Sequence, residues 1–124
     1  MPKVLVIDDE QGIRRLARAG LTARGYEVIE AASGQEGLLL IEEQRPEVIL
    51  LDLGLPLMSG WAVLEAIQRR HDSEKFAVVI ITSSPDQDIE GKAKGLGFTA
   101  LLQKPFRMDD LYESVQRALG ELET

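Results

Sequence analysis

The sequence predicts an α/β protein with a parallel sheet that helices cover on both faces. Five short runs rich in Val, Ile and Leu alternate along the chain with segments of helical periodicity. Such alternation is typical of parallel strands joined by crossover helices. The central apolar runs also lack a polar residue at alternate positions, which is expected of strands buried on both faces.

The apolar runs are the five predicted strands. They span Lys3 to Ile7, Tyr26 to Ile29, Val48 to Leu51, Val78 to Ile81 and Ala100 to Leu102. Polar residues directly follow the first, third, fourth and fifth runs. Because ligands of open parallel sheets bind beyond the carboxyl ends of the strands, these polar residues are the first candidates for a functional site.

The first three predicted helices lie between these strands. The first spans Gln11 to Arg24, where Ile13, Leu16, Ala17 and Leu21 share one face. The second spans Ser33 to Gln44, and Ser33 and Glu36 have the spacing of a capping box. Ser59 is a candidate N-cap for the third helix.

The last two predicted helices differ in strength. Pro85 to Gly97 should form the fourth, but Gly91 and Gly95 inside it each cost about 1 kcal/mol relative to alanine. The last helix carries a continuous apolar stripe, made by Met108, Leu111, Tyr112, Val115, Leu119 and Leu122.

Length and composition indicate a single domain over residues 1–124. The net charge of -7 argues against direct nucleic-acid binding, because phosphate contacts need concentrated Lys and Arg. The absence of cysteine excludes thiol catalysis and thiolate metal sites. The opening MPKVLVIDDE has only a short apolar run before its acids, so we expect no signal peptide, no membrane contact and a cytoplasmic protein.

Acidic residues leave two of the predicted strands. Asp8 and Asp9 follow the first strand, and Asp52 follows the third. Carboxylates gathered at one sheet edge repel each other unless a cation intervenes, and an oxygen-only ligand set suits Mg²⁺. The backbone carbonyl of Gly54 could add a further ligand. Adjacent acids after a strand also face solvent or cap a helix in many proteins, so the pair alone has more than one interpretation.

Asp52 could act as a nucleophile towards phosphorus and form an aspartyl phosphate. Such chemistry needs positive and donating groups around the transferred phosphoryl. Lys104, after the fifth strand, could supply an ammonium, and Thr82, after the fourth, a hydroxyl. Lys104 could equally be a surface lysine before a turn proline, although an unpaired ammonium at the end of a buried strand would be costly.

Four motifs occur in order along the chain: VLVIDDE, VILLDLGLPLMSG, VVIITS and QKPF. In this order and spacing they make the whole chain resemble a receiver (CheY-like) domain of the two-component response regulators. The resemblance implies a doubly wound (βα)5 flavodoxin-like three-layer sandwich. It also implies a parallel five-stranded sheet in the order 2-1-3-4-5.

The resemblance implies a phosphoacceptor role for Asp52. The donor would be a sensor histidine kinase, a phosphotransfer protein or a small phosphodonor, and Mg²⁺ (or Mn²⁺) would lie near Asp8 and Asp9. Thr82 and Lys104 would contact the phosphoryl group, and the bond between Lys104 and Pro105 would be cis. Such a protein is not an enzyme in the ordinary sense, because it catalyses only its own phosphorylation and dephosphorylation.

The resemblance also implies a conformational switch. In the family, the threonine moves towards the phosphoryl group and an aromatic residue three positions before the lysine turns inward. Leu101 stands at that position, so an aromatic switch cannot operate in its usual form. We expect the glycine-rich fourth helix to carry more of the change. The face of the fourth helix, fifth strand and fifth helix is the expected contact for a downstream target, with the protein a monomer or a phosphorylation-linked dimer.

Three other functions fit parts of the same residue pattern. A phosphatase of the haloacid dehalogenase type needs a second aspartate at the position of Gly54. An FMN binder needs phosphate-binding donors where Asp8, Asp9 and Glu10 stand. A third alternative is a receiver-like interaction module that is never phosphorylated. Leu101 departs from the family pattern and allows this alternative, whereas the acceptor residues match the pattern.

Overall fold

The computed structural model describes residues 1–71, 76–83 and 98–122. Within these ranges the chain forms five strands and four helices. In chain order they are β1 (Lys3–Ile7), α1 (Gln11–Ala23), β2 (Glu27–Ala31), α2 (Gly34–Gln44), β3 (Val48–Asp52), α3 (Gly60–His71), β4 (Ala77–Thr82), β5 (Ala100–Gln103) and a last helix (Met108–Leu122).

The strands form one parallel sheet in the order β2-β1-β3-β4-β5, which confirms the predicted order. The register aligns Ile7 with Leu51, Leu51 with Ile80 and Ile80 with Leu101. The residues just beyond this row therefore leave the sheet at the same edge. This register explains how residues far apart in sequence reach a common site.

Two apolar cores lie on opposite faces of the sheet. Val4, Val6 and Leu50 face the core that α1 and the last helix cover. Leu5 and Leu51 face the core that α2 and α3 cover. Successive strand residues point to opposite faces, so β1, β3 and β4 are buried throughout their central residues, as their uninterrupted apolar sequences predicted.

The structure extends β2 beyond the predicted end at Ile29. Glu30 pairs in register with Val6 and continues the ladder despite its charge. Its carboxylate forms ion pairs with Arg14 and Arg18 of α1. These cations, which lie on a different element, make the polar residue tolerable at a strand position.

The predicted N-caps of α2 and α3 are present. The Ser33 hydroxyl accepts the backbone N–H of Glu36 at 3.2 Å, and the Ser59 hydroxyl accepts that of Ala62 at 3.2 Å. On the predicted apolar face of α1, Ala17 and Leu21 are buried, whereas Leu16 is exposed. The predicted fourth helix, Pro85 to Gly97, lies outside the described residues.

None of the helices in the described ranges combines the length and the apolar content that crossing a bilayer requires.

Candidate functional site

Three acidic side chains meet at the carboxyl edge of the sheet. Asp8 and Asp9 follow β1, and Asp52 is the last residue of β3. Their carboxylates offer oxygens that all lie within 4.8 Å of one another. Asp8 is fully buried, Asp52 is 4% exposed, and Asp9 is exposed. This group combines two buried acids with one that reaches solvent.

The two buried carboxylates are fixed by the backbone in the same way. Oδ1 of Asp8 accepts the N–H of Glu10 at 2.9 Å, and Oδ1 of Asp52 accepts the N–H of Gly54 at 2.9 Å. Each contact links a carboxylate to the residue two positions later, as in an Asx turn. The sequence therefore builds both orientations locally, immediately after each strand.

Lys104 brings an ammonium to the second oxygen of each buried acid. Its Nζ lies 2.9 Å from Asp8 Oδ2 and 3.4 Å from Asp52 Oδ2. The Lys104 backbone N–H donates to the carbonyl of Thr82 at 2.7 Å, which attaches the end of β5 to the end of β4. The peptide bond between Lys104 and Pro105 is cis.

Burial and ion pairing act in opposite directions on the Lys104 amine. Burial alone would lower its pKa, but the contacts with Asp8, Glu10 and Asp52 outweigh burial and raise the pKa above its ordinary value. The amine is therefore a stable ammonium at neutral pH. It offers donors, rather than a base, to any group that enters the site.

The pKa of Asp8 is raised above its ordinary value. Burial is the largest cause, and the nearby charge of Asp52 adds to it, while Lys104 and the Glu10 N–H act in the opposite sense. The ammonium thus compensates only part of the cost of burying this acid. A further positive charge at the site would favour the ionised carboxylate.

The donor set fits a hard divalent cation. Asp8 Oδ2 is buried and has the Lys104 amine nearby, yet the described residues give it no hydrogen bond of good geometry. The group offers only carboxylate oxygens, which Mg²⁺ and Mn²⁺ prefer. For Gly54, the structure defines the N–H that holds Asp52, and the role of its carbonyl stays a prediction.

The loop between β3 and α3 is held close to the site. The N–H of Leu53 donates to the carbonyl of Ile81 at 3.0 Å, and that of Gly60 donates to Leu53 at 3.2 Å. A Cβ on Gly60 would lie 2.5 Å from the Asp52 carbonyl oxygen. Glycine at this position therefore lets the start of α3 approach the backbone that carries Asp52.

Thr82 and Leu101 occupy neighbouring strands on the same side of the site. Thr82 is buried at the end of β4 and pairs in register with Gln103. Leu101 is 37% exposed, whereas Ala100 and Leu102 beside it are buried towards the last helix. Their part in a conformational change stays a prediction, since the predicted fourth helix, Pro85 to Gly97, lies outside the described residues.

Two contacts of the site were not foreseen from the sequence. Glu10 reaches Lys104, with Oε1 3.0 Å from Nζ. The Arg14 guanidinium donates to the carbonyl of Asp8 at 2.7 Å and also pairs with Glu30. The helical spacing of Glu10 and Arg14 would have suggested a pair between those two. Only the topology shows that Glu10 pairs with Lys104, just after β5, and that Arg14 pairs with Glu30 of β2.

Asp8 should make the stability of the metal-free protein depend on pH. Because its folded pKa is raised, the folded protein binds more protons than the unfolded chain between about pH 3.9 and the raised pKa. Stability should therefore fall as pH rises through that window. Asp8→Asn should remove this part of the fall and raise the urea midpoint at neutral pH. A midpoint lower than that of wild type in chelator-treated samples would contradict this prediction.

The family model described as response regulator receiver domain matches residues 4–116. Among curated relatives, the sporulation initiation phosphotransferase F of Bacillus subtilis is 32% identical over 117 residues, which covers 94% of this chain and 93% of that protein. The transcriptional regulatory protein KdpE of Mycobacterium tuberculosis is 38% identical over 119 residues. That alignment covers 96% of this chain but 51% of KdpE, so the chain spans about half the length of this relative.

Solved structures give the same result for the fold. A crystal structure of the chemotaxis protein CheY4 of Vibrio cholerae aligns with a TM-score of 0.89 at 31% identity, covering 95% of this chain and 98% of that one. A CheY-like receiver domain from Methanospirillum hungatei aligns with a TM-score of 0.91 at 28% identity, covering 99% of this chain and 97% of that one. Similarity therefore extends over the whole sheet and its helices.

Proposed function

The chain belongs to the response regulator receiver domain family, and on that premise we propose that Asp52 is its phosphoacceptor. Receiver domains accept phosphoryl groups rather than act as enzymes in the ordinary sense. The observation that carries the assignment is the position of the Lys104 amine, 3.4 Å from Asp52 Oδ2 and beside Asp8. Asp52 is thus an acid with a cation and two further carboxylates around it.

The proposed reaction is attack by a carboxylate oxygen of Asp52 on phosphorus. An oxygen–phosphorus bond forms, and the bond from phosphorus to the donor breaks. With phosphohistidine the leaving imidazole takes up a proton, and with acetyl phosphate the leaving group is acetate. The Lys104 ammonium donates to a phosphoryl oxygen and keeps its proton, while the Thr82 hydroxyl donates to another.

Asp8, Asp9 and Asp52, with the Gly54 carbonyl, are the proposed ligands of Mg²⁺ or Mn²⁺. When bound, the cation shares the negative charge of the phosphoryl oxygens. The buried acid with a raised pKa supports this assignment, because Asp8 lacks full compensation for its charge. The Gly54 N–H, which donates to Asp52 Oδ1 at 2.9 Å, already orients the Asp52 carboxylate at this site.

Phosphoryl incorporation tests this function directly. Wild type, incubated with Mg²⁺ and acetyl phosphate, should gain the mass of one phosphoryl group, and chelation should prevent the gain. Asp52→Asn should gain nothing, whereas Asp110→Asn, an exposed acid on the last helix, should behave as wild type. A wild-type protein that never gains this mass would favour the interaction module that is not phosphorylated.

Once formed, the aspartyl phosphate should be hydrolysed slowly. In the family, the second residue after the acceptor and the second after the threonine tune this rate, and here they are Gly54 and Ser84. Gly54 offers no side chain to position an attacking water, and Ser84, outside the described residues, offers no acid or amide. We expect the adduct to persist for minutes or longer after the donor is removed. Loss within seconds, followed by intact mass, would contradict this.

Receiver domains interact with histidine kinases or phosphotransfer proteins and with output domains. We propose that the protein is one domain over 1–124, acts in the cytoplasm, and is a monomer or a phosphorylation-linked dimer. We further propose that its downstream target binds the face of the predicted fourth helix, β5 and the last helix. Leu101 supports this face, because an apolar side chain is 37% exposed on it.

A further inference from the structure

Glu10 lies at the rim of the site and contacts the Lys104 amine. Its Oε1 is 3.0 Å from Nζ, whereas Asp52 Oδ2 is 3.4 Å from the same atom. Asp8 Oδ2 is the nearest of the three, at 2.9 Å. The ammonium is therefore held closer to Asp8 and Glu10 than to the acid that we propose as phosphoacceptor.

We propose that Glu10 is a positioning residue that competes with the incoming phosphoryl group for Lys104. This inference rests on the proposed function of Asp52. An ammonium has three N–H donors, and three carboxylates lie within 3.4 Å of this one. The amine donates hydrogen bonds to Glu10 Oε1 and Asp52 Oδ2, whereas Asp8 Oδ2 accepts none of good geometry. A phosphoryl oxygen carried by Asp52 therefore competes with Glu10 for the donors of the ammonium.

Glu10 is the acid that can leave at least cost. The Asp8 side chain is fully buried, and its other oxygen is held by a backbone N–H. Asp52 carries the phosphoryl group itself. The Glu10 side chain is 59% exposed, so its carboxylate can turn into water and be hydrated there.

The exchange involves no proton transfer and no covalent change in Glu10 or Lys104. The Glu10 carboxylate turns outward, and the N–H that it accepted donates to a phosphoryl oxygen instead. The ammonium keeps its charge throughout. Glu10 thus holds Lys104 in place at rest and is replaced when Asp52 is phosphorylated.

Glu10→Gln should accelerate phosphorylation by acetyl phosphate at saturating Mg²⁺. The neutral amide holds the ammonium less strongly, so the phosphoryl group meets less competition. We expect a two- to fivefold higher rate, which is roughly the range that an exposed ion pair spans. Glu43→Gln removes one charge from an exposed position of α2 and should leave the rate unchanged.

Glu10→Asp separates the contact from the charge. Aspartate keeps the negative charge but is one methylene shorter, so its carboxylate should not reach Nζ. Competition through contact predicts that this variant is also faster than wild type. A Glu10→Asp rate equal to that of wild type would mean that only the long-range charge of residue 10 acts, and would overturn the proposal. A Glu10→Gln protein that is phosphorylated more slowly than wild type would also overturn it.

Nitrogen-15 NMR of the Lys104 ammonium tests the pair without any phosphoryl transfer. Its signal should shift in Glu10→Gln and stay in place in Glu43→Gln. An unshifted signal in Glu10→Gln would show that the Glu10 carboxylate does not pair with the Lys104 ammonium. A wild-type protein that gains no phosphoryl mass would overturn both the proposed function and the competition step. The NMR signal of the ammonium would still decide, separately, whether Glu10 pairs with Lys104.

Discussion

Lys104→Met should destabilise the metal-free protein by about 3 to 5 kcal/mol, the cost of removing one partner from a buried ion pair. The Lys104 side chain is 9% exposed, and it faces Asp8 at 0% and Asp52 at 6% exposure. Methionine keeps most of the length of the side chain but removes the charge. Two buried carboxylates would then face each other without their cation.

The same substitution should slow phosphorylation of Asp52 by a factor of about 10² to 10³, the usual effect of removing one preorganised donor. Urea unfolding in chelator and intact mass with acetyl phosphate measure the two effects separately. Lys3→Met is the matched control, because Lys3 forms a more exposed ion pair with Glu27 at 3.8 Å. It should cost less than about 1 kcal/mol and leave the rate unchanged.

A double-mutant cycle identifies the cause of the instability. Adding Asp8→Asn to Lys104→Met removes one of the uncompensated charges, so the double variant should recover much of the lost stability. Asp8→Asn should therefore stabilise the Lys104→Met variant by more than it stabilises wild type. An equal gain in both backgrounds would show that the lysine stabilises the protein through packing alone. That result would contradict the electrostatic explanation of this site.

Gly60→Ala should destabilise the protein by about 1 to 3 kcal/mol or more, as overpacking of a close contact does. A Cβ at this position would lie 2.4 Å from the Leu53 Cα and 2.5 Å from the Asp52 carbonyl oxygen. Both are backbone atoms that a rotamer change cannot move. Relief therefore requires a shift of the segment that carries the proposed phosphoacceptor.

The shift should also reduce phosphorylation of Asp52, because a displacement of about 1 Å can cost a factor of 10² in a positioned reaction. Gly12→Ala is the control, since a Cβ on Gly12 has no neighbour within 4 Å and the residue lies in α1. That variant should gain up to about 1 kcal/mol from helix propensity. Equal urea midpoints for Gly60→Ala and wild type would show that the start of α3 shifts at little energetic cost to admit the Cβ, and would contradict this prediction.

Periodicity predicted most of the fold because the alternation of apolar runs and helical segments is a local property. Ser33 and Ser59 were recognisable as N-caps for the same reason. The end of β2 could not be recognised from the sequence, because Glu30 is a charged residue at a strand position. It is tolerated there because Arg14 and Arg18 of another element form ion pairs with it. Contacts between elements decide such boundaries, and a local pattern does not contain them.

The site was predictable to a similar extent. The parallel order and register bring Asp8, Asp52 and Lys104 to one edge, and each follows its strand directly. Glu10 also follows a strand, but its contact with Lys104 spans 94 positions and depends on the direction of a flexible side chain. The pKa directions of Asp8 and Lys104 depend on burial at that edge, which sequence spacing does not reveal.

Chemical trapping locates the phosphoryl group most directly. Borohydride reduces an aspartyl phosphate to homoserine, which tandem mass spectrometry of peptides places at one position. After reaction with acetyl phosphate and Mg²⁺, we expect homoserine at position 52. Homoserine at position 8 or 9 instead would contradict the assignment of Asp52 as phosphoacceptor. A protein that gains phosphoryl mass but yields homoserine at no position would contradict it as well.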